Sequence, residues 1–177
     1  MNFFACGFVK AENWGFPFGF SYVSGFGDIM DITEDNLETE YSMVKSVEGV
    51  PIGLIFRPHF QLDNGLEIGA DFDPFMMIYG DVDFFNLPVN MNCRYTFIPK
   101  SKVSPYIRAG VSYHLANGDY VVGKSAGFLG GIGFEFFNMG LEVSYDTSEI
   151  EIENLSHGDS TENIKPCEWA LSFFFLF

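Results

Sequence analysis

Three arginines carry the first chemical signal in the chain: Arg57, Arg94 and Arg108. Each lies in an alternating stretch, "GLIFRPHFQ", "NMNCRYTF" and "SPYIRAGVSYHL", and each falls on the small, polar side of the alternation. Glu67, Asp71, Asp73, Glu135, Glu142 and Asp146 share that side. A guanidinium can grip a carboxylate with two parallel N–H bonds, so this set predicts an internal ion-pair network. Counting outward from the turns places Arg57 opposite Asp71 and Glu135 opposite Glu142. Two facing carboxylates require an arginine or a cation between them, or a raised pKa.

The nucleophilic chemistry on offer is thin. A serine hydrolase needs its serine against a histidine that an acid orients. Ser112 and His114 stand two apart, on one face of a strand, and that face points inward. His114 and His59 are therefore read as hydrogen-bonding groups of the interior and His157 as a loop residue. No G-x-S-x-G or H-E-x-x-H occurs. Cys6, Cys93 and Cys167 are too few and too scattered for a disulfide framework and show no zinc spacing, so no metal or cofactor is expected.

The elements that must position these groups are strands. One side reads Trp14, Phe16, Phe18, Phe20, Tyr22; then Ile52, Leu54, Phe56; Leu66, Ile68, Ala70, Phe72; Phe85, Leu87, Val89, Met91, Cys93, Tyr95; Ile107, Ala109, Val111, Tyr113; Phe128, Ile132, Phe134; Leu141, Val143, Tyr145; and Trp169, Leu171, Phe173, Phe175, Phe177. The other side is rich in Gly, Ser and Asn. This period of two predicts eight strands. Tight turns are expected near Asp63-Asn64-Gly65, Pro99-Lys100-Ser101 and Asn138-Met139-Gly140. Longer loops are expected at 25–40, about 77–81, 116–125 and 153–164. "EIEIEN" at 149–154 suggests that the seventh strand runs on as a hairpin with the eighth. Inward Pro51 and Pro88 suggest bulges. Short connections at one end and long ones at the other describe an up-and-down antiparallel meander with both termini at the short-turn end.

Side-chain volume then decides which face is inside. An eight-stranded barrel has an interior just wide enough for side chains to fill. The chain holds 22 Phe, with aromatics at 18%. Packing the bulky side inward would overfill the barrel, while the Gly/Ser/Asn side suits a narrow lumen. The apolar side is therefore outward, toward lipid, where an arginine at mid-depth costs about 2–4 kcal/mol. The lysines keep to turns, loops, strand ends and the N-terminal segment: Lys10, Lys45, Lys100, Lys102, Lys124 and Lys165. Lipid offers no hydrogen bonds to an open edge, so the last strand must pair with the first. Trp14, Tyr22, Tyr95, Tyr113, Tyr145 and Trp169 would form interfacial girdles.

A net charge of −15 disfavours nucleic acid as a partner. The acids concentrate in the first long loop (Asp28, Asp31, Glu34, Asp35, Glu38, Glu40) and toward the last (Glu149, Glu151, Glu153, Asp159, Glu162). They lack the Asp-x-Asp-x-Asn-Gly spacing of a calcium loop and read as a solvated surface. Residues 1–11 read as the remnant of a signal peptide, with 12–177 as the barrel.

The C-terminal "WALSFFFLF" and the glycine-rich strands "SPYIRAGVSYHL" and "GFLGGIGFEFFNMGLEVSYD" resemble the small bacterial outer-membrane β-barrels of the OmpA/OmpX-like superfamily. The resemblance implies an eight-stranded transmembrane barrel with extracellular long loops and periplasmic termini, amid outer-membrane lipid and lipopolysaccharide. It implies that Trp169, Leu171, Phe173, Phe175 and Phe177 form the signal read by the barrel-assembly machinery. The expected role is structural or adhesion-like, as a monomer with a filled lumen and acidic loops that meet an extracellular protein. The alternatives are a narrow pore for small solutes and a lipid A-modifying enzyme.

Overall fold

A computed structural model describes residues 14–41, 52–62, 64–79, 82–99, 101–118, 120–155 and 160–176. Its strands are β1 (Trp14–Gly15), β2 (Phe18–Val23), β3 (Ile52–Phe56), β4 (His59–Gln61), β5 (Leu66–Phe72), β6 (Phe75–Tyr79), β7 (Val82–Thr96), β8 (Val103–Gly118), β9 (Val121–Lys124), β10 (Ala126–Phe136), β11 (Met139–Asp146), β12 (Ile150–Asn154), β13 (Ser160–Ile164) and β14 (Trp169–Phe175). One helix, α1 (Phe26–Tyr41), follows β2. Consecutive strands join into eight staves: β1–β2, β3–β4, β5–β6, β7, β8, β9–β10, β11–β12 and β13–β14.

Every stave pairs antiparallel with its neighbours in sequence, and β14 closes the ring on β2 with Phe173 opposite Phe20 and Phe175 opposite Phe18. Closure leaves no edge within the barrel wall. Prolines break each of the first three staves into two strands. Pro17, Pro58 and Pro74 lack the N–H that a ladder requires, yet their carbonyls still accept bonds across the gap from Arg57, Ala70 and Leu54. Pro88 marks no bulge. The β7–β8 ladder passes through it in register, with Leu87 opposite Leu115, Pro88 opposite His114 and Val89 opposite Tyr113. The irregularity falls at Glu151/Ile152, where β12 meets β9. Pro51 lies outside the described residues.

The connections differ from expectation in two ways. The segment at 25–40 is a helix, not a loop. Ile29, Ile32, Thr33 and Asn36 are buried on one face, while Asp28, Asp31 and Asp35 are exposed on the other. Only a few apolar residues mark that face in the sequence, and the surface that covers them is gathered from residues spread between Val23 and Cys167. Secondly, the segments near 77–81 and 116–125 are tight, because strand pairing continues to Tyr79 opposite Val82 and β8 runs on to Gly118. The expected hairpin past the barrel is present: β12 pairs with β13 from Ile150–Ile164 to Asn154–Ser160, and β9 lies on its other side. Described ends Trp14 and Leu176 sit at the same end as the turns at Asn64-Gly65, Ile98–Ser101 and Phe137-Asn138.

The faces divide as the volume argument requires. Phe18, Phe20, Tyr22, Leu54, Phe56, Val111, Phe128, Ile132, Phe134, Val143 and Leu171 are exposed on the outside. Ser21, Arg57, Glu67, Asn90, Arg108, Ser112, Glu142, Ser144 and Ser172 are buried inside. An apolar layer spans the loop-side end of the barrel, where Val23, Phe75, Phe84, Ala116, Ile150, Ile152 and Ile164 pack with Ile29 and Ile32 of α1. Asn36 pins the helix there: its Nδ2 donates to the Glu153 carbonyl at 2.7 Å, and its Oδ1 accepts from the Leu155 amide at 2.8 Å.

Candidate functional site

The barrel interior gathers the charged residues into one network. Glu142, on β11, is its hub. Its Oε1 accepts from Arg108 Nη2 at 2.6 Å and from Arg57 Nη1 at 3.1 Å, and its Oε2 accepts from the Tyr106 hydroxyl at 2.9 Å. Arg108 also meets Asp71. Arg57 lies 3.6 Å from Asp71 and 3.8 Å from Asp73, and donates to Ser172 Oγ at 3.2 Å. Arg94 bridges Glu67 at 2.5 Å and Glu135 at 2.6 Å, while His59 Nε2 lies 3.4 Å from Glu67. Removing one partner from such a buried set strands the other's charge, which is the costly event in a low-dielectric interior.

The staves show how this arrangement is positioned. Arg94 and Arg108 stand directly opposite on β7 and β8, a like-charge pairing that is unfavourable alone. Carboxylates on either side balance them: Glu67 on β5 is opposite Arg94, and Glu142 on β11 reaches Arg108 across one intervening stave. The stave between Arg108 and Glu142 is β10, which offers Gly131 opposite Arg108 and Gly133 opposite Glu142. A Cβ on Gly133 would lie 2.4 Å from the Tyr106 ring, so absence of a side chain lets Tyr106 cross to the hub.

Two predicted placements change. Glu135 is opposite Gly140, not Glu142, because Phe137-Asn138 makes a two-residue turn with Phe137 at φ 56° and Phe136 opposite Met139. This separates the two carboxylates and gives each its own arginine. Asp146 joins no arginine among the described residues. It lies 3.4 Å from His114 Nε2 and accepts from the Ser148 hydroxyl and amide at 2.5 and 2.8 Å. His114 Nδ1 meets Asn86 Nδ2 at 2.8 Å, and Ser148 Oγ lies 3.2 Å from Ser112 Oγ. The order is Asn86, His114, Asp146, Ser148, Ser112. The serines meet the acid and each other, whereas nucleophile activation needs a serine on the imidazole.

Tyr106 and Phe174 escape the sequence reading as parts of the site. Both are bulky residues on a side read as small, and their parity with the arginines is the available signal. Tyr106 is 1% exposed beneath Arg94, whose guanidinium sits 4.6 Å from its ring centroid. Phe174 is fully buried, 5.2 Å from Arg57. Of the C-terminal series, Trp169, Leu171 and Phe175 are exposed on the outer wall and Phe173 is half-buried. Phe177 and residues 1–11 lie outside the described residues.

A second feature lies beyond the barrel wall. A cleft of about 420 Å³ is lined by Asp28 and Asp31 of α1 and by Glu149, Glu162, Lys165 and Glu168. Lys165 sits 3.7 Å from Glu168, and the Tyr145 hydroxyl beside it holds its pKa above the usual lysine value.

No protein-family model matches the chain, and no curated protein matches it. Solved structures with a similar chain path include the Yersinia pestis outer membrane protein Ail in a phospholipid bilayer nanodisc (16% identity, TM-score 0.45, 93% of this chain and 99% of that one). They also include Neisserial surface protein A (16%, 0.44, 93% and 95%) and E. coli outer membrane protein W (16%, 0.46, 93% and 97%). The barrel assignment rests on this chain's own closed strand pairing.

Proposed function

We propose that the chain spans a bacterial outer membrane and serves a structural or surface-interaction role without catalysis. The observation that carries this reading is the inversion of faces: a wall of exposed Phe, Leu, Ile and Val around an interior of paired arginines and carboxylates. In water such a wall is an aggregation liability, whereas in lipid it is the favourable surface. Trp14 and Tyr95 at the turn end, with Tyr22, Tyr113, Tyr145 and Trp169 at the other, fit the two interfaces. The helix and the β12–β13 hairpin then form the extracellular face, and the termini are periplasmic. The acidic cleft suits a basic patch on an extracellular protein. The Trp169, Leu171, Phe173, Phe175, Phe177 series serves the assembly machinery, and the folded protein is a monomer.

The interior argues against the narrow pore. The apolar layer under α1 covers one end, and the network crosses the middle with cavities of about 20 Å³. The order of groups around His114 argues against a lipid A-modifying enzyme.

The test is refolding into detergent, followed by gel migration with and without boiling. The expected result is a heat-dependent shift in apparent mass, with assembly in cells lost on deletion of Phe177. A protein that is soluble without detergent and shows no shift would overturn the reading. Steady single-channel conductance in planar bilayers would instead establish the pore, and a mass change in lipid A on expression would establish the enzyme.

A further inference from the structure

Inside the barrel, three arginines face six carboxylates: Glu67, Asp71, Asp73, Glu135, Glu142 and Asp146. The excess charge is not evenly spread. Glu67, Asp71, Glu135 and Glu142 all lie within the arginine network. Toward the loop side, Asp73 touches only the edge of that network, through Oδ2 at 3.8 Å from Arg57, and Asp146 has His114 and Ser148.

A small cavity of about 20 Å³ is lined by both of these acids. Its polar wall is Ser21, Asp73, Asn90, Ser144, Asp146 and Arg108. Three oxygens of that wall, Ser21 Oγ, Asp73 Oδ1 and Asn90 Oδ1, are buried without a hydrogen-bond partner. Ser21 and Asn90 are each 3% exposed. They come from the first, third and fourth staves, so strand register alone brings them together.

We propose that this cavity binds one dehydrated monovalent cation of the size of sodium. The space holds one occupant of about the volume of a water molecule. Hydroxyl, amide and carboxylate oxygens are hard donors and suit a hard cation. A single positive charge offsets part of the excess at Asp73 and Asp146, and it supplies a partner for three buried oxygens that are otherwise costly. A divalent ion fits less well, since calcium takes six to eight oxygens and magnesium demands near-octahedral geometry, and Arg108 stands on the same wall. Among the described residues no group of His, Cys, Asp and Glu is placed to hold a metal ion by those side chains alone. The site belongs to the interior and is independent of any extracellular partner.

The experiment uses the full chain refolded in a zwitterionic detergent. The thermal unfolding midpoint, read by heat-modifiability, is measured in NaCl and in N-methylglucamine chloride at equal ionic strength. The midpoint is expected to climb with NaCl and stay level in the bulky organic cation. Asp73→Asn and the milder Ser21→Ala are expected to fold and to lose that dependence. Crystals soaked in a thallium(I) salt should show one anomalous peak between Ser21, Asp73 and Asn90. Equal midpoints in the two salts, with only water in the cavity, would overturn the proposal. So would a peak without a midpoint dependence, which marks an adventitious ion only, or a dependence that persists in both variants.

Discussion

Glu142 is buried and receives two arginines and a tyrosine, and the energetics of the interior turn on that one carboxylate. Glu142→Gln keeps the shape but removes the charge that offsets Arg57 and Arg108. Breaking a buried pair by removing one partner typically costs about 3–5 kcal/mol, so the urea midpoint of the refolded barrel should fall markedly. Adding Arg57→Met to Glu142→Gln should return part of the loss, a non-additivity that a double-mutant cycle reads directly. The glycines of β10 give a sharper contrast. Gly133→Ala places a methyl group against the Tyr106 ring, whereas a Cβ on Gly130 meets nothing within 4 Å. Overpacking of this kind costs about 1–3 kcal/mol. Gly133→Ala should therefore lower the unfolding midpoint, while Gly130→Ala, on the same strand, leaves it nearly unchanged.

At the scale of elements, α1 is the part whose existence depends most on others. Its buried face is short, and its hold on the barrel includes Ile29 and Ile32 in the apolar layer and two bonds from Asn36. Asn36→Ala leaves the half-buried Glu153 carbonyl and Leu155 amide without these partners, at about 1 kcal/mol for each hydrogen bond lost. The consequence should be local. Hydrogen exchange at the Leu155 amide should quicken and α1 should become open to protease, while the barrel keeps its heat-modifiability. Ile29→Ala should act likewise and more strongly, since deleting buried isoleucine atoms typically costs about 2–5 kcal/mol. Global unfolding at the same denaturant concentration in either variant would show instead that helix and barrel form one cooperative unit.

For the whole molecule, the outward wall sets the solvent in which the fold is stable. Val143 is an exposed wall residue, with Ile132 opposite on one neighbouring stave and Leu171 on the other. Val143→Arg puts a cation into lipid, at about 2–4 kcal/mol near mid-depth. Refolding yield in bilayers should drop. Lys102→Arg, in the turn at the end of the barrel, should leave the yield unchanged. Equal yields for both would contradict the lipid-facing assignment of this wall.

Period-two alternation, with 22 Phe on a chain of this length, was enough to specify eight staves, their order and the face turned inward, because a narrow barrel cannot contain the bulky set. The same parity placed Arg57, Arg94 and Arg108 with Glu67, Asp71 and Glu142, since strand alternation is a local property. Tertiary structure decided what parity leaves open. The Phe137-Asn138 turn set the register that gives Glu135 to Arg94 and Glu142 to Arg57 and Arg108. Strand pairing across the ring brought Asp146 to His114 instead of into an arginine ion pair, and brought Ser21, Asp73 and Asn90 to one cavity. The helix at 26–41 is held by an apolar layer to which residues as distant in sequence as Phe75, Phe84, Ile150, Ile152 and Ile164 contribute around Ile29 and Ile32. Local residue patterns encode which way a side chain points; which groups it meets depends on ring closure and register, which are properties of the assembled barrel.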